Sequence, residues 1–338
     1  MKRLLLTTFL VLASNAWAGP IEDAFAANAR GDYAAELRIT RPLAAKGEAW
    51  AQSNLGLIYD KGQGVGQNYA EAMKWYRLAA AQGYAPAQFN LGAKYAHGQG
   101  VVQNYAEAVK WFSLAAAQGD VSAQFNLGLA YYKGAGVVQD YAEAVKWYRL
   151  ATAQGDALAQ RELGVMYYKG EGFVQDYAEA VKWFSLAAAQ GNVSAQYNLA
   201  LAYYKGEGVV QNYAEAVKWY RPAAAQGDVS AQINLGAMYA QGEGVVQDYA
   251  EAMKWYRLAA AQGYAPAQFN LGLMYAKGQG VLQDYVRSHM WLNLAAVKGG
   301  ASAVKYRDIA ATLMNTQQIA EAQKLARECQ ARKFKNCD

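Results

Sequence analysis

Little in this chain interrupts a helix, and little of it can do chemistry. The 338 residues include only 5 Pro, 2 Cys and 2 His. Scarce proline leaves helices unbroken. The two histidines, His97 and His289, stand in no HExxH motif, and no Walker or GxSxG pattern occurs. Charged residues make up 17%, below the usual globular share. Net charge is +5, and removing Lys2 and Arg3 with a leader leaves +3. That is too mild for the dense basic stripe of a nucleic-acid binder. After the first residues, no run is apolar enough to span a membrane.

The first 18 residues have the layout of a signal peptide. Lys2 and Arg3 precede an apolar stretch from Leu4 to Ala13, and Ala16-Trp17-Ala18 supplies the small residues of a cleavage site. Gly19 is then the expected mature N-terminus, and the expected destination is the periplasm or the exterior. No cysteine near that point invites a lipid anchor.

What is abundant is repetition. Trp75, Trp111, Trp147, Trp183, Trp219, Trp255 and Trp291 recur every 36 residues, as do Gly47, Gly83, Gly119, Gly155, Gly191, Gly227, Gly263 and Gly299. A period of this size, without alternating β-branched residues, predicts a helical solenoid. The second helix of each unit starts at Asn68, Asn104, Asp140, Asp176, Asn212, Asp248 or Asp284. Three residues later stand Glu71, Glu107, Glu143, Glu179, Glu215 and Glu251, which predicts a capping box. Gly83 and its equivalents end that helix. Gly92 lies inside the first helix, yet its equivalent is Ala200, so smallness is required there and the expected cause is a close helix neighbour. The Gly98-x-Gly100 turn follows a helix and lacks a third glycine, so it is no phosphate loop.

These marks, the Ala-Gln-x-Asn-Leu-Gly block, the Gly-x-Gly-Val turn and the Ala-x-x-Trp helix, resemble the Sel1-like repeat, a relative of the tetratricopeptide repeat. The resemblance implies an all-α, right-handed α-solenoid superhelix of 36-residue helix-turn-helix repeats. Seven repeats are expected over 49–299 (49–84, 85–120, 121–156, 157–192, 193–228, 229–264 and 265–300). They are preceded by a cap and half repeat at 19–48 and followed by capping helices and a cysteine-bearing tail at 301–338. The last repeat departs from the pattern, with Arg287 in place of the capping Glu and His289 in place of Val or Met.

Variation among the copies separates packing positions from free ones. The freest position of the first helix reads Ser53, Phe89, Phe125, Arg161, Tyr197, Ile233 and Phe269. Seven residues on, and so on the same helix face, stand Asp60, Ala96, Tyr132, Tyr168, Tyr204, Ala240 and Ala276. By resemblance to tetratricopeptide repeats this face lines a concave groove, with Lys133, Lys169 and Lys205 beside it. The candidate binding groove is therefore Phe89, Phe125, Tyr132, Lys133, Arg161, Tyr168, Lys169, Tyr197, Tyr204, Lys205, Ile233 and Phe269. Aromatic and arginine side chains are frequent interface anchors. The bland alternative is that these rings cover helix seams. The fixed tryptophans and the Tyr95 series are expected in the core. Trp183→Ala should then cost about 3–5 kcal/mol, whereas Tyr168→Ala should stay within about 0.5 kcal/mol.

Cys329 and Cys337 lie close in sequence, and export would place them in an oxidising compartment. A disulfide pinning the tail of Arg332, Lys333 and Lys335 is favoured over a free thiol or an intermolecular bridge. No cofactor or metal is expected. The functional expectation is a monomeric, non-catalytic scaffold for a protein or peptide in envelope assembly, signalling or host contact. The alternative is a β-lactamase or penicillin-binding hydrolase like the cysteine-rich Sel1-like proteins. Those carry a cysteine pair in each repeat, which this chain lacks. Ser302-x-x-Lys305 matches one serine β-lactamase element, but Ser-Asp-Asn and Lys-Thr-Gly partners are missing.

Overall fold

The computed structural model describes residues 19–297 and 300–337; residues 1–18, the expected leader, lie outside the described residues, as does Gly299. Among the described residues the regular elements are helices, with no strand. A helix α1 over 19–29 precedes α2 (Tyr33–Ala45). Seven first helices follow: α3 (Ala49–Lys61), α5 (Ala85–His97), α7 (Val121–Lys133), α9 (Ala157–Lys169), α11 (Val193–Lys205), α13 (Val229–Gln241) and α15 (Ala265–Lys277). They alternate with seven second helices: α4 (Tyr69–Ala81), α6 (Tyr105–Ala117), α8 (Tyr141–Ala153), α10 (Tyr177–Ala189), α12 (Tyr213–Ala225), α14 (Tyr249–Ala261) and α16 (Tyr285–Ala296). The chain ends with α17 (Ala301–Thr312) and α18 (Thr316–Ala331). It divides into two compact units, Met1–Ala159 and Gln160–Asp338.

The second helices begin at the predicted caps: Asn68, Asn104, Asp176 and Asn212 each accept from the backbone N–H three residues on. The glutamate, however, does not close a box. The Asn68 N–H donates to the Tyr59 carbonyl at 2.8 Å, and Asn104 and Asn212 do the same to Tyr95 and Tyr203 at 2.9 Å. With that donor already satisfied, the glutamates pair with the lysine three residues on, at 3.6 Å for Glu71–Lys74 and 2.6 Å for Glu179–Lys182. A reciprocal box does form at α18, where Asn315 and Gln318 bond each other's backbone at 2.9 Å.

The core differs from expectation in one residue of phase. The fixed tryptophans are only half-buried from Trp75 through Trp219, and fully enclosed at Trp255 and Trp291. The next residue forms the core: Tyr76, Tyr148 and Tyr220 are fully buried, and Phe112 and Phe184 nearly so. Successive helical residues point about 100° apart, so only one of the two can face the first helix. That ring is also why Gly92 and its equivalents are small. A Cβ at Gly92 would lie 2.6 Å from the Phe112 ring, and one at Gly128 would lie 2.7 Å from the Tyr148 ring. The approach comes from a side chain as well as from the helix backbone. The Tyr95 series is likewise half-buried, except for buried Tyr275; its backbone carbonyls take the cap N–H groups.

Two devices join successive repeats. Glutamines form rungs: exposed Gln82 donates to the side-chain carbonyl of buried Gln52 at 2.8 Å, while Gln52 donates to Ala44 O at 3.2 Å. The same rung recurs from Gln118 to Gln88 and from Gln226 to Gln196. The second glycine of the turn seats on the preceding repeat. A Cβ at Gly136 would lie 2.3 Å from the Tyr105 carbonyl carbon, a distance no side chain can hold.

Candidate functional site

Within each first helix the two variable positions share one face, and every aromatic among them is half-buried. Each upper ring rests on core of the same repeat or on its neighbour. Phe89 lies 5.9 Å from Phe112, Phe125 5.9 Å from Tyr148, and Tyr197 5.7 Å from Tyr220. Phe269 meets Tyr306 of α17 edge-on at 5.7 Å, and Ile233 packs against the last core cluster. Arg161 pairs with adjacent Glu162 at 2.7 Å. The lower rings lean on the first residue of the second helix: Tyr132 on Tyr141, Tyr168 on Tyr177 and Tyr204 on Tyr213, with centroids 5.6, 5.0 and 5.3 Å apart. Lys133, Lys169 and Lys205 are exposed beside them.

Between successive repeats this face forms a slot. Its floor is the core ring of the second helix, and its sides are the lower variable position and the next first helix. In the first unit, the slot at Asp60 is filled by Lys94. That lysine is buried, ion-paired with Asp60, bonded to Gln99 at 2.8 Å, and 5.0 Å from the Tyr69 ring centre. At Ala96 no described side chain fills it. A cleft of about 460 Å³ opens there, walled by Val109, Phe112, Leu129 and Ala130 and rimmed by His97, Gln103, Asn126 and Lys133. His97 is an exposed residue of the helix end, and its Nδ1–H donates to Ala93 O at 2.8 Å, which leaves Nε2 for another partner.

In the second unit, the tyrosines occupy their slots. The Tyr168 hydroxyl donates to Glu207 at 2.8 Å, tying one repeat to the turn of the next. Burial first, then the bond to Glu207 and its charge, push this hydroxyl above the ordinary tyrosine value. Tyr204 is raised by burial and then by Glu243 in the same way. The space left at Tyr168 is about 260 Å³. Lys205 and Lys169 have carboxylates near them, Glu207 at 3.5 Å and Glu171 at 3.7 Å. At the next slot Ala240 leaves room, but Met274 stands where Ala130 stands in the first unit and is buried.

Tyr168 and Tyr204 therefore have a packing role that their variability did not reveal. The signal was present in the sequence as a covarying pair: the tyrosine in one repeat and Glu207 or Glu243 in the next turn. Also unforeseen is an almost fully exposed aliphatic in successive turns of each unit, Val102 and Val138 in the first and Val174, Val210, Val246 and Leu282 in the second.

The remaining chemical candidates are dispersed. Cys329 and Cys337 are joined, with Cα atoms 5.1 Å apart, and the closed tail lays Phe334 and Cys337 on the last core cluster. His289 is buried in α16, where burial and then the nearby Arg307 hold its imidazole below the ordinary histidine value. Ser302 and Lys305 are both exposed on the first turns of α17. Among the described residues no cluster of three His, Cys, Asp or Glu side chains could hold a metal, and no helix is long and apolar enough to cross a membrane.

The Sel1 repeat family model matches seven times, at residues 51–84, 85–120, 121–156, 157–192, 193–228, 229–264 and 265–299. Among solved structures, the chain is similar to a Sel1 repeat protein from Oxalobacter formigenes, with 36% identity and a TM-score of 0.67 over 71% of this chain and 98% of that one. It is also similar to a protein from uropathogenic Escherichia coli described as a protective antigen displaying an SLR fold. There the identity is 28% and the TM-score 0.55, over 96% of this chain and 95% of that one. No curated protein matches the chain.

Proposed function

This chain belongs to the Sel1 repeat family, and from that premise we propose that it is an exported, non-catalytic scaffold that holds a protein or peptide segment along the face of its first helices. One observation carries this reading. Most of the positions fixed across the repeats are consumed by the solenoid itself, as core rings, glutamine rungs and caps, whereas the variable face stays half-exposed and differs from slot to slot. A face that only covered seams would have no reason to leave one slot open. Phe125, Arg161 and Tyr197 offer the large, rigid contact area that interfaces favour. Lys133 in the first unit, and Lys169 and Lys205 in the second, are exposed beside their variable positions.

Export rests on the basic, apolar and small-residue order of residues 1–18. Two further features agree with it. Similarity over 96% of the chain to a protein described as a protective antigen suits a protein outside the cytoplasm. A bonded Cys329–Cys337 pair suits an oxidising compartment.

The test is cross-linking and capture from envelope extract, with N-terminal sequencing of the exported protein. The wild type should begin at Gly19 and capture a partner that Phe125→Ala and Tyr197→Ala together release. Equal capture by that double variant would sink the groove reading, and an intact Met1 in the exported protein would sink the leader.

A further inference from the structure

The slot at Ala96 differs from the others of its kind in both shape and charge. Three small residues coincide there: Ala96 where the central repeats have tyrosine, Ala130 where others have Met238 or Met274, and Ala135 where the second unit has Glu207 or Glu243. The first leaves the slot unfilled, the second leaves its wall recessed, and the third leaves its rim without a carboxylate. Among the described residues Lys133 consequently has no ion-pair partner, although its equivalents Lys169 and Lys205 lie 3.7 and 3.5 Å from a glutamate. Among the described residues the cleft lining includes no aspartate or glutamate. Its interior is apolar, from Val109, Phe112 and Leu129, and its rim offers the Lys133 cation and one amide N–H of Asn126, whose other goes to Ser122 O; the Gln103 amide is committed to Ala96 O and the Tyr105 hydroxyl.

We propose that this cleft receives a large apolar side chain whose own chain continues with a carboxylate, so that an acidic peptide segment with an aromatic anchor docks between α5, α6 and α7. The proposal rests on the groove reading above and names the chemistry of its occupant. Apolar walls gain by covering a ring. An uncompensated lysine at the mouth favours a carboxylate and disfavours a cation. The slots at Tyr168 and Tyr204 supply the same two elements from within the protein: there an aromatic ring and the acid of Glu207 or Glu243 already occupy the place. The open slot thus lacks what the two tyrosine slots contain, and a partner bearing a ring followed by an acid would complete it.

That internal precedent also provides the test. The probe is a short fluorescein-labelled peptide with one tryptophan followed by two glutamates, measured by fluorescence anisotropy against the full mature chain. The wild type should bind it at least about tenfold more tightly than the same peptide with lysines for glutamates, or with alanine for tryptophan. Ala96→Tyr with Ala135→Glu rebuilds the self-filled slot of the second unit and should lose at least about tenfold in affinity. Ala130→Met, which copies the pairing of Ala240 with Met274, should lose binding independently should the first variant misfold. Lys133→Glu should reverse the charge preference, and Ala240→Tyr, in another slot, should change nothing. Failure of the wild type to bind the probe, equal binding of the lysine peptide, or undiminished binding by both filled variants overturns the proposal. If the envelope partner is released by the Phe125 and Tyr197 changes but not by filling the slot, the groove reading stands and the cleft assignment falls.

Discussion

The two units solve one packing problem with different chemistry. Around Asp60 and Ala96, in the first unit, one slot is closed by a buried lysine–aspartate pair and the next is left open. Around Tyr168 and Tyr204, in the second, a ring fills each slot and its hydroxyl reaches a glutamate of the following turn. The helices, caps and glutamine rungs are the same in both. The difference teaches that the repeat frame tolerates a charge, a ring, a thioether or a void at one place. Variation there is therefore partly coupled packing and partly free surface, and only the partner residue in the next repeat tells the two apart.

The largest effect tests the shared frame. Tyr220→Ala removes a fully buried ring and should cost about 3–5 kcal/mol, read as a fall in the denaturant midpoint. Trp219→Ala, one residue earlier and half-buried, should cost clearly less, about 1–2 kcal/mol. Trp183 should follow Trp219 and fall short of the figure expected for a buried ring. Equal losses for Trp219 and Tyr220 would mean that the phase of the second helix has been misassigned.

Next comes the charge-filled slot. Asp60→Ala strands Lys94 in a buried position and should cost about 2–3 kcal/mol, somewhat below a fully enclosed pair because both side chains keep slight exposure. The double change Asp60→Ala with Lys94→Met copies the Ala240 and Met274 slot and should restore stability to within about 1 kcal/mol of wild type. A double variant as unstable as the single one would show that the pair is integral to the first repeats.

The ring-filled slots should respond more gently. Tyr168→Phe loses one hydrogen bond to a carboxylate and should cost about 1–2 kcal/mol in thermal or chemical denaturation. Tyr168→Ala should cost more, because the ring also stacks on Tyr177; the expectation of a nearly silent change does not survive the geometry. Tyr76→Phe, in the first unit, should be close to neutral, since its buried hydroxyl has no hydrogen-bond partner among the described residues.

The smallest effect concerns pH and the end of the second unit. His289 is held neutral by burial and by Arg307, with Asp308 opposing. The unfolded chain therefore binds the proton more readily than the folded one. The contribution of His289 is present above the ordinary histidine value and fades as pH falls through it. Melts taken between pH 8 and pH 5 should show a mild acid destabilisation that His289→Gln flattens. An unchanged slope in that variant would place the pH dependence elsewhere.

The sequence by itself determined the helix pairs, their caps and their period. Those depend on local rules: an Asn or Asp at an N-cap, a glycine where the backbone turns left-handed, a small residue repeated at one phase. It also marked Cys329 and Cys337 as near neighbours and the first-helix face as the variable one. Local rules could not say whether the tryptophan or the residue after it meets the first helix, because both are large and only the rotation of the packed helix distinguishes them. Nor could they say that the capping glutamates would be left free for lysines, since a tyrosine carbonyl from the preceding helix takes the cap N–H first. The slots were least legible of all. Each is built from a residue in one repeat, a ring in its second helix and a wall and turn in the next, some 34 to 39 positions away in the chain for Asp60–Lys94 and Tyr168–Glu207. Whether such a place is filled, neutralised or open is a property of volumes and charges brought together by stacking, and stacking exists only in the folded repeat array.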